Sequence, residues 1–278
     1  MDRRTRIAVV GAGLGGMTVT GFLQRAGFDA TIYEQAPSFS RIGAGIILTS
    51  NATKVLRTLG VEQKLVDTGI KADCYISRAW DSGKTIYEIW FDAESEAKYG
   101  GPYVNIHRGD LHAVIETAVR PGSIAFNHRL VELKETANAV QLRFDNGVTV
   151  EADIVIGADG VNSRVREHLI GPEPPRFIGM AAHRAIFPAE LLDGYEIPDC
   201  TKWWGGDRHL LVYYMTNRRD EVYVIGVRPW KSWDSATVPL PSSREALLEV
   251  LRSARSTVSM GARAPPQRRR ISDAVVGA

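Results

Sequence analysis

Cysteine is scarce: Cys74 and Cys200 are the whole complement of a 278-residue chain, and no CxxC pair occurs. Neither a disulfide framework nor a zinc knuckle is expected, and a reducing cytoplasm suits the composition. No apolar run reaches the roughly 18 residues that a membrane-spanning helix needs, so no membrane partner is expected. The histidines (His107, His112, His128, His168, His183 and His209) form no HExxH and no paired spacing with cysteine, so no metal is expected. Internal repeats and heptads are missing too. Nor is there a general excess of basic charge. The formal net charge is +2, but residues 252–278 hold six arginines against one aspartate, which leaves the rest of the chain at −3. A mildly acidic body carries no footprint for nucleic acid.

What is present is the composition of an ordinary globular enzyme, 44% hydrophobic and 24% charged, enough for one large domain or two modest ones. That excludes a fibrous or wholly disordered chain. Met1 to Arg6 followed by Ile7-Ala8-Val9-Val10 copies the basic and apolar regions of a signal peptide, but the glycines that follow have a better explanation. Ile7 to Val10 reads as a strand, Leu14 to Ala26 as a helix stopped by Gly27, and Ala30 to Glu34 as a second strand. Such a βαβ start predicts a parallel sheet covered by helices. Val140–Phe144 and Val148–Ile156 read as strands joined by an Asp145-Asn146-Gly147 turn, the second running into Gly157. From about residue 175 the strands lengthen and turn antiparallel in character, with Leu210–Met215 and Val222–Val227 joined by the polar Thr216–Asp220. The expected organisation is a nucleotide-binding α/β domain over 1–72 and 100–174 and a mostly antiparallel β domain over 73–99 and 175–251. Residues 252–278 show no hydrophobic period and read as a disordered basic tail.

Gly11-Ala12-Gly13-Leu14-Gly15-Gly16 fits GxGxxG between a strand and a helix, the context a dinucleotide fingerprint requires. Gly11 permits the tight turn and Gly13 lets backbone N–H groups approach a pyrophosphate. Gly16 allows close packing of helix on strand, and the helix dipole favours the anion. Glu34 is spaced as the carboxylate that binds an adenosine ribose. A glycine turn without a ligand would leave Glu34 unexplained. This fingerprint alone does not separate FAD from NAD, so an NAD-dependent dehydrogenase stays open at this point.

Four further segments add detail. Gly157-Ala158-Asp159-Gly160-Val161-Asn162-Ser163-Arg164-Val165-Arg166 has the form GADGxxSxxR, which on its own could be a capped turn from strand to helix. In Ile106-His107-Arg108-Gly109-Asp110-Leu111, Arg108 is a fork donor suited to an oxygen-rich cofactor, or else a helix-start partner of Asp110. Arg41 to Asn51 contains Gly43-Ala44-Gly45-Ile46, whose glycines let backbone lie against a flat group. In Asp199 to Tyr214, strand spacing puts His209, Leu211 and Tyr213 on one face.

Taken together, residues 6–250 resemble the single-component FAD-dependent aromatic hydroxylases, the group of salicylate hydroxylase and 6-hydroxynicotinate 3-monooxygenase. The resemblance implies a p-hydroxybenzoate-hydroxylase (PHBH) type of fold: a Rossmann-like FAD-binding parallel sheet with a second, mostly antiparallel substrate domain. It also implies NADH or NADPH as co-substrate, dioxygen, and a small aromatic acid as substrate, hydroxylated with or without decarboxylation. By the same resemblance Gly11, Gly13, Gly15, Gly16, Glu34, Gln35, Ile47, Arg108, Leu130 and Asp159 hold cofactor. Leu130 would touch adenine through its backbone. Cys200, His209 and Tyr213 face substrate, with His209 as a general base and Tyr213 as a hydrogen-bond partner. Two departures stand out. Ile47 occupies a position where the 6-hydroxynicotinate enzymes carry histidine, and Thr49-Ser50 replaces glycine and proline. Near Leu251 an amphipathic helix gives way to the arginine-rich tail, which predicts a truncated or frameshifted chain with weak FAD retention. A non-catalytic dinucleotide-binding remnant is the alternative this leaves open.

Overall fold

The computed structural model describes residues 5–41, 44–194, 196–232 and 243–252. Its strands are β1 (Arg6–Val10), β2 (Asp29–Tyr33), β3 (Gly45–Leu48), β4 (Ile70–Lys71), β5 (Cys74–Ala79), β6 (Thr85–Trp90), β7 (Val104–His107) and β8 (Ile124–Ala125). Then follow β9 (Leu130–Glu135), β10 (Val140–Phe144), β11 (Thr149–Ala152), β12 (Ile154–Gly157), β13 (Met180–Pro188), β14 (Cys200–Trp204), β15 (His209–Tyr214) and β16 (Glu221–Pro229). The α-helices are α1 (Leu14–Arg25), α2 (Ser50–Leu59), α3 (Glu62–Thr68), α4 (Ala93–Tyr99), α5 (Arg108–Glu116), α6 (Arg164–Ile170) and α7 (Arg244–Arg252). Of the expected tail, Arg252 ends α7 and the remainder lies outside the described residues.

The described residues of 1–42, 55–64 and 109–175 form one compact unit, and those of 43–54, 65–108 and 176–278 form a second. This grouping by contacts differs from the expected partition. Segments 43–54, 65–72 and 100–108 belong with the second unit because β3 and β4 both pair with β7 in one antiparallel sheet.

In the first unit β1 lies inside a parallel sheet ordered β12-β1-β2-β8. Ile7 to Val10 are all buried, which is why this strand is a continuous apolar run rather than an alternating one. α1 ends in a Schellman arrangement: Gly27 N–H bonds Gln24 O and Phe28 N–H bonds Leu23 O, with Gly27 at φ +89. The expected strand Val148–Ile156 is in fact two. β11 pairs with β10 in a separate antiparallel sheet, whereas β12 joins β1, and the break falls at Asp153. There the Asp153 carboxylate accepts from the Arg6 backbone N–H at 2.8 Å and from its guanidinium at 2.9 Å.

The second unit is built on a six-stranded sheet ordered β13-β16-β15-β14-β5-β6, antiparallel except for the β14–β5 pair. Alternation along β15 gives it two different faces. Leu210, Val212 and Tyr214 point into a core shared with Trp203, Phe187, Leu192 and the α7 residues Leu247, Leu248 and Val250. Leu211 and Tyr213 point the other way, to Cys200, Tyr223, Tyr75, Ile225 and the β3 residue Ile47. Burial of the first face against α7 anchors the strand register, which in turn decides what the second face presents.

Candidate active site and nucleotide loop

In the first unit the loop after β1 is held from several sides. Gly11 sits at φ +99, and a Cβ there would lie 2.5 Å from Ala158 O. A Cβ on Gly16 would lie 2.0 Å from Gly11 O, so helix and loop close on each other only if both residues are glycine. Glu34 clamps the loop: one carboxylate oxygen accepts from Ala12 N–H at 2.7 Å and the other from Ala36 N–H at 2.8 Å. The Ala12 carbonyl meets His112 Nε2 at 2.7 Å. His128 N–H donates to Glu34 O at 2.8 Å, which anchors the Arg129-Leu130 segment near the acid. The Leu130 side chain is itself core, packed with Leu142, Phe144 and Val165, and Gln35 is exposed.

Gly13 and Gly15 behave differently from Gly11 and Gly16, since a Cβ on either would meet nothing within 4 Å. α1 also starts without a capping side chain and without an acid in its first turn. The start of α1 therefore has room beside Gly13 and Gly15 and the positive end of the helix dipole with no side-chain cap, a setting that fits the pyrophosphate of a dinucleotide.

Asp159 is placed at the start of α6, where it accepts from Ser163 Oγ at 2.5 Å, Arg164 N–H at 2.7 Å and Val165 N–H at 3.2 Å. Ser163 adds an N-cap bond from Arg166 N–H at 2.9 Å. The GADG segment is thus a doubly capped turn, and the Asp159 carboxylate is occupied by the helix end. Arg108 opens α5 with an exposed side chain, and its N–H donates to Ala44 O at 3.0 Å. The alternative pairing of Arg108 with Asp110 does not form. Asp110 pairs with Arg41 instead, at 2.7 and 3.0 Å.

In the second unit the three residues expected at substrate lie on one face of the sheet. Cys200 and Tyr213 are cross-strand partners, both essentially without solvent contact. Asp199, just before Cys200, is locked by Arg219 at 3.0 Å and donated to by the Asp73 N–H at 2.9 Å, while Asn105 Nδ2 donates to its carbonyl at 3.1 Å. Tyr213 lies against β3, where a Cβ on Gly45 would fall 2.5 Å from its hydroxyl oxygen. Burial, and then Tyr223, Cys200 and Tyr103, push the Tyr213 phenol far above its usual range. It therefore stays protonated near pH 7. His209 starts β15 opposite Trp204, and burial followed by the Lys202 charge lowers its pKa below the ordinary histidine value. It is accordingly neutral near pH 7 and able to accept a proton. Three residues of strand lie between it and Tyr213, about 13 Å between Cα atoms, so the two side chains are spaced along the face rather than in contact.

Tyr103, Tyr75, Tyr223 and Lys202, which sequence reasoning did not single out, lie near Cys200 and Tyr213. Burial, and then Cys200, raises the Tyr103 phenol, and its ring stacks on Phe91 at 4.1 Å. Lys202 was legible in principle: in Cys200-Thr201-Lys202-Trp203-Trp204 the period of two puts it on the face of Cys200. Among the described residues no group of His, Cys, Asp and Glu could hold a metal, and no helix is long and apolar enough to cross a membrane.

Comparison with known proteins identifies the family of the chain. The chain is 43% identical over 268 residues to 6-hydroxynicotinate 3-monooxygenase of Bordetella bronchiseptica, covering 96% of this chain and 70% of the relative. It is 42% identical to the enzyme of that name from Pseudomonas fluorescens, covering 93% of this chain and 68% of the relative. Solved structures share the fold: Klebsiella pneumoniae HpxO complexed with FAD and uric acid superposes with a TM-score of 0.74 at 22% identity, covering 87% of this chain and 59% of that one. For 2,6-dihydroxypyridine-3-hydroxylase from Arthrobacter nicotinovorans the TM-score is 0.67 at 23% identity, covering 85% and 58%. The FAD binding domain family matches residues 4–247, and the chain belongs to that family.

Proposed function

We propose that the protein is an FAD-dependent monooxygenase that uses NADH or NADPH and dioxygen to hydroxylate a small aromatic or N-heteroaromatic acid. Loss of CO2 accompanies hydroxylation where the oxygenated carbon itself bears the carboxylate, ortho or para to the ring hydroxyl that activates it; at an unsubstituted carbon a proton leaves instead. One observation supports this most directly: Cys200, His209 and Tyr213 share a sheet face, and Tyr213 abuts the glycine segment of β3. The substrates named for the two bacterial relatives are hydroxynicotinates, which have the size and polarity of such a face.

Each residue has a definable task. Gly13, Gly15 and the start of α1 hold the pyrophosphate, Glu34 the ribose side of the loop, and Arg108 an oxygen-rich part of the cofactor. Bound FAD would supply the two-electron chemistry with the nicotinamide and the activation of dioxygen. Tyr213 donates to a ring oxygen or carboxylate, and neutral His209 accepts a proton from the substituent at the other edge, which makes the ring more electron-rich. Cys200, Ile47 and Leu211 supply a dry apolar surface that orients the ring.

The test is to purify the chain, record its flavin spectrum, and supply NADH, 18O2 and 6-hydroxynicotinate or salicylate. A yellow protein that puts one 18O atom into the product supports the proposal. A colourless protein overturns it, as does NADH oxidation with no label in any aromatic product. Oxidation or reduction of the substrate without oxygen consumption would point to a dehydrogenase.

A further inference from the structure

The face that carries Tyr213 and His209 also holds a cation with no counter-charge. Lys202 lies in the middle of β14, between Ser77 of β5 and Leu211 of β15 in the strand register. It is half-buried, and its Nζ sits 3.6 Å from the centre of the Trp204 ring. Several other cations of this unit have protein partners: Arg219 pairs with Asp199, Arg228 with Glu249, and Arg78 donates to Gly83 O, while Arg184 lies in the same cross-strand row as Lys202, through Ile225 and Leu211. Among the described residues no carboxylate pairs with Lys202. Its neighbour Ser77 has no solvent exposure, and the Ser77 hydroxyl has no hydrogen-bond partner among the described residues. Lys202 and Ser77 are thus register neighbours, one with a partly desolvated ammonium and the other with an unpartnered buried hydroxyl, and each is costly unless a further polar group completes it.

Resting on the reading of this face as the substrate site, we propose that Lys202 and Ser77 form an oxyanion subsite that receives an anionic oxygen of the aromatic substrate. Lys202 stands two residues along β14 from Cys200, about 6.6 Å, which is the length scale of one substituted six-membered ring. A ring lying on Cys200 and Tyr213 therefore brings an oxygen substituent to the ammonium. That oxygen is either the carboxylate or a deprotonated ring hydroxyl. In the second case the Lys202 charge favours the oxyanion while it disfavours a protonated His209, so the two groups act in the same direction on the ring. Lys202 is then a specificity-determining residue that selects acids and phenols over neutral arenes.

The indole of Trp204 under the ammonium provides a readout that needs no turnover. Quenching of tryptophan fluorescence is titrated with nicotinate (carboxylate only), 2-hydroxypyridine (ring oxygen only) and 6-hydroxynicotinate. The proteins compared are the parent, K202M, K202R and Y213F. Loss of a charge-assisted hydrogen bond predicts roughly tenfold or more weaker binding in K202M, with most of it restored in K202R. A loss confined to nicotinate assigns the carboxylate, and a loss confined to 2-hydroxypyridine that grows with pH assigns the ring oxyanion. If K202M binds all ligands as the parent does while Y213F weakens them, the oxyanion subsite is refuted and the substrate face stands. If neither variant alters binding, the reading of the face itself is overturned.

Discussion

Gly45→Ala is the sharpest probe of how β3 and the sheet create the site. A Cβ at this position would lie 2.5 Å from the Tyr213 hydroxyl oxygen and 2.8 Å from two of its ring carbons. Gly45 needs no unusual backbone angle, so the whole penalty comes from this contact. Tyr213 has little room to retreat: it is 1% exposed, pairs with Cys200, and packs on Tyr223 at 5.1 Å between ring centres. Overpacking of such a core typically costs about 1–3 kcal/mol. Gly206→Ala is the control, because a Cβ there meets nothing within 4 Å and should change stability by less than about 0.5 kcal/mol. Urea unfolding followed by tryptophan fluorescence measures both. Combining Gly45→Ala with Tyr213→Phe removes the closest of the three atoms, so about 1 kcal/mol of the penalty should disappear in the double variant. A Gly45→Ala protein as stable as the Gly206→Ala control would refute the packing argument. A penalty that is unchanged in the Tyr213→Phe background would show that the strain is relieved elsewhere.

Other outcomes follow from single residues. Gly13→Val should leave folding stability nearly unchanged, because its side chain enters open space, yet abolish FAD retention measured by flavin absorbance; Gly16→Ala should lose both, since its Cβ meets Gly11 O at 2.0 Å. Asp159→Ala removes three acceptor contacts at the α6 end and should cost about 1 kcal/mol in denaturant melts, with Asp159→Asn recovering part of it. His209 is held below its ordinary pKa of 6.5, so the unfolded chain takes up that proton at higher pH than the folded one. Its contribution to stability is thus complete above about pH 6.5 and is lost as pH falls through the lower folded value. Stability profiles of parent and His209→Gln should diverge only in that acidic window; superimposable profiles would show that the histidine is not desolvated.

Much of the nucleotide half was written in local sequence. Ile7–Val10, the glycines and Gly27 specify β1, the loop and the end of α1 through contacts close in the chain, so the βαβ start and its parallel pairing were legible. The alternation His209-Leu211-Tyr213 was legible for the same reason, as a period of two needs no partner to be seen. What depends on distant residues was not. The break at Asp153 exists because Arg6, far away in sequence, recruits its carboxylate and draws β12 to β1. The pairing of Asp110 with Arg41 rather than Arg108 joins residues 69 apart in sequence, and the transfer of 43–54 to the second unit depends on where β3 meets β7. Asp159 carried a motif but not its hydrogen bonds, which Ser163, Arg164 and Val165 supply only through the turn that follows it. Lys202 and Ser77 become one feature only when β14 lies beside β5, because register across a sheet is set by the whole core behind it.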